Sequence, residues 1–408
     1  VSASRTIIIG AGHAGSQCAI SLRAAGYAHE ICLIDADEAD LPYHKPPLSK
    51  KYIRDDSQKA TPLRPESAYT KADVKRINAT VATIDPKRKI VRFSEKSELA
   101  YDYLVLATGA VNKVFAQLQG IRNVHSIRTL ADTTRLRGAL LPSAGVDIVG
   151  GGFIGLEVAA CIAAMGKTVN ILEAENRVLA RVASPQVSAR VQSYLESLGV
   201  SFHLGRRANS FTIEENNLKA INFDKEDSIK TELLVVGVGA DAEFKLAKDA
   251  GLNCENGILV NQYLKTSNAS IFAIGDCASF KHWQSEASIR LESVQNAVDQ
   301  AKAVAQDIAN DTQTVYKNVP WFWSDIGSLK LQIAGINSSH SSTVEMQEDD
   351  KLALYHLHND KVVCVETINS ARDHMLARKL IAADIVVNRQ DIEAGPDALK
   401  SLLDSNDK

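Results

Sequence analysis

Apolar residues along this chain fall into short runs with two spacings. Residues 6–9, 31–34 and 103–107 are almost wholly aliphatic or β-branched, as strands buried on both faces of a parallel sheet are. Between the first two, residues 14–25 follow a helical period that stops at Gly26. The same order then restarts: a strand at 146–149, a helix over 154–165, a strand at 169–172, an amphipathic helix over 186–198 and a closing strand at 233–238. Residues 270–276 form one more short buried strand, and a helix follows over 293–309. Beyond Pro320 the pattern changes. Alternation at 329–333, 343–346, 352–357 and 362–367 predicts antiparallel strands, with Asn359-Asp360 as a tight turn. A helix near 373–383 and a polar tail complete the expected order.

The restart predicts an α/β chain with two Rossmann-like units, one inserted into the other. The first unit takes residues 1–113 and 244–320, the second takes 114–243, and 321–408 form a C-terminal α+β domain. A length of 408 residues suits two to three such domains. Residues 40–65 hold Pro42, Pro46, Pro47, Pro62 and Pro65, so they are a loop-rich excursion rather than a plain crossover.

Each strand-to-helix turn at the head of a unit reads G-x-G-x-x-G. The first is Gly10-Ala11-Gly12-His13-Ala14-Gly15 and the second Gly150-Gly151-Gly152-Phe153-Ile154-Gly155. The first glycine permits the turn, the second lets backbone approach a diphosphate, and the third lets helix and strand pack closely. An acid near the end of the next strand suits a ribose hydroxyl. Asp35 and Asp37 both qualify in the first unit, and Glu173 in the second. Glu173 disfavours a ribose 2′-phosphate, so NADH is expected over NADPH. Two fingers, each followed by an acid, point to two dinucleotides in one molecule.

Composition narrows this further. A net charge of −3 gives no reason to expect nucleic-acid binding. Residues 146–166 are apolar enough to raise a membrane helix, but Asp147, Glu157 and three consecutive glycines oppose it. The start of the chain carries no secretory pattern, and a reducing, cytoplasmic setting is expected. The six cysteines lie far apart, with no C-x-x-C and no metal-ligand spacing. A dithiol beside either finger is missing, so chemistry through sulfur is not expected.

Several segments carry a family resemblance over nearly the whole chain: residues 41–50 (LPYHKPPLSK), 106–109 (LATG), 153–157 (FIGLE), 273–276 (AIGD) and 320–325 (PWFWSD). With these the chain resembles the FAD-dependent NADH:ferredoxin reductases of the putidaredoxin reductase type. These are the reductase components of bacterial Rieske dioxygenase and cytochrome P450 systems, within the glutathione reductase-like class. The resemblance implies FAD on the first finger, with Gly10, Gly12, Ala14, Gly15, Lys45, Pro46, Ala107, Thr108, Gly109 and Asp276 around it. Val81 and Arg128 would line its adenosine and diphosphate parts, and Val294 would open a helix aimed at the isoalloxazine. NADH would lie on Gly150, Gly152, Phe153, Ile154, Gly155, Glu173 and Gly239. Lys50 would stand near flavin N5, paired with Glu157, and Trp323 beside the flavin where a partner docks. That partner would be a [2Fe–2S] ferredoxin, plant/vertebrate-type or Rieske-type, feeding a terminal oxygenase. Arg290, Lys330 and Arg372 are candidates for a basic docking rim. Rubredoxin reduction, or an NADH-binding flavoprotein of the apoptosis-inducing-factor type, are the alternatives. The chain departs from the family at Lys45, where arginine is usual, and at Ala242-Glu243, where Pro-Asn is frequent.

Overall fold

The computed structural model describes residues 4–37, 39–55, 59–224, 227–285, 287–337 and 342–406. Two parallel sheets dominate it. In the first, the strand order is Ile271–Ala273, Tyr103–Leu106, Arg5–Ile9, Glu30–Asp35 and Val74–Asn78. In the second, it is Val200–His203, Thr168–Leu172, Gly145–Val149, Leu234–Val236 and Val124–His125. Each finger therefore leaves a strand flanked by partners on both sides, at the carboxyl ends where open α/β sheets bind ligands. Ile271–Ala273 completes the first sheet only after the second has been built. Two short strands, Ala110–Asn112 and Ala240–Ala242, pair antiparallel where the chain passes between the sheets.

The runs expected as strands are strands because their side chains are enclosed: Ile7, Ile8, Ile31 and Leu104 have no exposed surface. Helix His13–Ala24 packs along helix Val294–Asn310 on one face of the first sheet. Residues 146–166 divide into the strand Gly145–Val149 and the helix Phe153–Ala163. Among the described residues no helix is long and apolar enough to cross a membrane. Each unit also carries a separate three-stranded antiparallel meander, at 81–100 and 210–230.

The C-terminal sheet is antiparallel, in the order Trp321–Ile326, Leu329–Gly335, Lys361–Ile368, Lys351–His358 and Ser342–Glu348. Asn359 and Asp360 both have positive φ, as the expected tight turn requires. The polar tail is corrected: residues 389–393 and 396–406 are helices. Ile392, Leu399 and Leu403 recur along them and are buried against the sheet. Their wide spacing among charged residues masked the helical period.

Candidate functional site

Both fingers open on one cleft of about 1510 Å³. Gly10 has φ +97°, and a Cβ there would drive into the Ala107 carbonyl. A Cβ at Gly15 would drive into the Gly10 carbonyl. Strand, helix and the Ala107-Thr108-Gly109 turn thus pack backbone to backbone. A Cβ at Gly12, in contrast, would meet no protein atom within 4 Å. Gly12 opens its helix with no side-chain cap, leaving first-turn N–H groups for a ligand. The second finger repeats this: Gly150 has φ +109° and abuts the Gly237 carbonyl, Gly155 abuts Gly150, and Gly152 faces open space. The two turns fit a diphosphate each.

The acids after the fingers are placed alike. Glu173 accepts from the Gly151 N–H at 2.6 Å and the Glu175 N–H at 2.8 Å. The equivalent N–H groups, those of Asp37 and Ala11, favour the charged form of Asp35. Burial nonetheless raises the Asp35 pKa above the usual carboxylate range. Asp37 is occupied otherwise, accepting from the Tyr43 hydroxyl at 2.7 Å and standing 3.7 Å from Lys45 Nζ. By position, then, Asp35 is the counterpart of Glu173.

Cations collect where the first diphosphate would lie. Arg128 pairs with Asp276 at 3.2 Å. Lys45 has its pKa lowered, mainly by burial. His13, which pattern reading passed over, lines the cleft with them. Burial, then His44, Lys45 and Arg128, push its pKa down to about 4. A dianion here would offset the mutual repulsion of these groups. Lysine in place of arginine at residue 45 thus keeps the charge and gives up bidentate geometry.

Toward the centre of the cleft, Lys50 Nζ stands 2.7 Å from Glu157, whose side chain is 5% exposed. Two hydroxyls that sequence reasoning missed also donate to this carboxylate: Ser49, and Ser324 at 2.6 Å. Both lie inside segments that carry the family resemblance, but neither is ionisable, and only the fold brings their hydroxyls to one carboxylate. Cys161 donates to the Lys50 carbonyl at 3.1 Å, and burial pushes its thiol up to about 11. All six cysteines are free thiols, and none of them lines the cleft among its described residues.

Trp323, Val294 and Gly239 line the cleft. Ser293 caps the helix that Val294 begins, accepting from the Asn296 N–H. Val81 packs its side chain in the core at the start of an antiparallel strand, so only its backbone is left to meet a ligand. Arg290 is a correction to the expected basic rim. Its side chain is 10% exposed, and its guanidinium bonds Glu292 and the carbonyls of Asp276 and Ala240. It ties segments together and is unavailable as rim charge. Arg372 pairs with Asp397, while Lys330 remains exposed.

Residues 4–301 match the family described as pyridine nucleotide-disulphide oxidoreductase, and residues 321–403 match the reductase C-terminal domain. Rhodocoxin reductase of Rhodococcus erythropolis is 35% identical, the alignment covering 93% of this chain and 90% of the relative. Rubredoxin-NAD(+) reductase of Pseudomonas putida is 36% identical, over 89% of this chain and 95% of the relative. The crystal structure of the ferredoxin reductase for the CYP199A2 system from Rhodopseudomonas palustris superposes with a TM-score of 0.91 at 35% identity, covering 95% of this chain and 96% of that one. With two glycine turns, an acid after each and one shared cleft, the chain belongs to the pyridine nucleotide-disulphide oxidoreductase family and is an oxidoreductase whose cofactors are FAD and NAD(H).

Proposed function

We propose that the chain takes reducing equivalents from NADH and passes them to a small [2Fe–2S] ferredoxin, plant/vertebrate-type or Rieske-type, that feeds an oxygenase. The observation that carries this reading is the cleft itself: both fingers line it together with the Lys50–Glu157 pair, and among the described residues no thiol lines it. FAD, when bound, accepts a hydride equivalent from NADH and releases electrons one at a time. The chain's residues bind and orient. The Gly10–Gly15 turn, with Lys45, Arg128 and Asp276, would hold FAD, and Asp35 would take its ribose. Gly150, Gly152 and Glu173 would hold NADH, with Phe153 and Ile154 against it. Lys50 would present its ammonium to the flavin ring, and the N-terminus of helix Val294–Asn310 would favour negative charge there. Trp323 would stand on the partner's side of the ring.

The rubredoxin-reducing relative supports a second acceptor class for the same parts. Purified protein should be yellow, bleach anaerobically with NADH, and reduce a [2Fe–2S] ferredoxin faster than a rubredoxin. Protein that stays colourless after reconstitution with FAD overturns the reading. Preference for rubredoxin overturns its acceptor alone.

A further inference from the structure

We propose that Ser324 is a positioning residue for Lys50, acting through Glu157, so that the C-terminal sheet fixes where the lysine stands. This rests on the reading of Lys50 as the residue facing the flavin. The Glu157 carboxylate is divided between two sources. Its Oε2 takes Lys50 Nζ and the Ser49 hydroxyl, both from the 46–50 segment. Its Oε1 takes the Ser324 hydroxyl, which comes from the C-terminal sheet and is 1% exposed. With donors on both oxygens, the carboxylate cannot turn without leaving a buried atom unpaired.

The backbone explains why this contact is well placed. Phe153 and Glu157 lie one turn apart on one helix face, and Phe322 and Ser324 lie two apart on one strand face. The Phe153 and Phe322 rings meet at 4.3 Å between centroids. One strand therefore meets one helix along a line of two contacts. The rings set the separation, and the hydroxyl sets the carboxylate. Lys50 is gripped from its own segment as well, through Nζ on the Pro46 carbonyl at 3.1 Å. That grip leaves Glu157 to fix the direction of the ammonium.

The test is a cycle on the FAD-loaded enzyme with Ser324→Ala, Lys50→Met and the double variant. The rate of flavin reduction by NADH and the flavin midpoint potential are both read. Ser324→Ala should slow reduction on the order of tenfold, as loss of one charge-assisted hydrogen bond does. It should also shift the potential in the same direction as Lys50→Met, with FAD content kept. Ser324→Thr should restore most of both. In the Lys50→Met background, Ser324→Ala should change neither. If Ser324→Ala is silent alone, or acts undiminished in that background, the inference is overturned. If Lys50→Met is itself silent, the reading of Lys50 fails and the inference fails with it.

Discussion

Glycines at the fingers do two different jobs, and substitution should separate them. Gly12→Ala adds a methyl group that meets no protein atom. This variant should fold with near-normal stability yet lose FAD affinity, because the methyl group takes the diphosphate's space. Gly15→Ala drives the same group into the Gly10 carbonyl, which should cost several kcal/mol, as severe overpacking does. Circular dichroism melts and flavin content measured on both variants decide this. Equal stability of the two would refute the division. The role of Gly12 is legible in sequence because backbone approach to a diphosphate has a fixed spacing. The choice between Asp35 and Asp37 is not, because it depends on which N–H groups each carboxylate reaches.

Among the elements, helix Ala371–Ala383 carries a titration that should reach the stability of the protein. His374 is 3% exposed, and among the described residues neither ring nitrogen has a hydrogen-bond partner. Its ring packs against Trp321, and burial, then Arg378, lower its pKa to about 4. Between there and the ordinary value of 6.5, the unfolded chain binds the proton and the folded chain does not. Stability should therefore fall as pH drops through that window, by ~3 kcal/mol at most. Urea midpoints at pH 7 and pH 5 should differ less for His374→Phe than for the parent. Strands and helices of the two parallel units were legible because full burial makes their apolar runs continuous. The meander strands and last two helices bury one side only, and their sparse apolar positions carry too little period.

In the whole molecule, the C-terminal sheet is held to the second unit by a buried carboxylate as well as by Ser324. Glu366 accepts from the Ser184 N–H at 2.8 Å and the Ser184 hydroxyl, and bonds His356 at 2.8 Å. Burial pushes its pKa up, but these hydrogen bonds outweigh burial and leave it lowered. Glu366→Ala removes all of these bonds and should cost about 2–4 kcal/mol. It should lower the melting temperature while FAD binding survives; a melt within a degree of the parent would show that the clamp is idle. Long-range bonds of this kind were invisible in the sequence, since Ser184 and Glu366 lie in separate units and share no motif.

The first parallel sheet gains its last strand from Ile271–Ala273, far downstream of the Tyr103–Leu106 strand it joins. A ribosome adding about 5–20 residues per second leaves that edge unpaired on the order of ten seconds or more. The inserted unit emerges complete within that interval and is free to fold first. Asp276, Val294 and the helix packed on the first finger emerge later still. The newborn chain should therefore acquire a place for NADH before it acquires one for FAD, the reverse of the order in which their motifs are written.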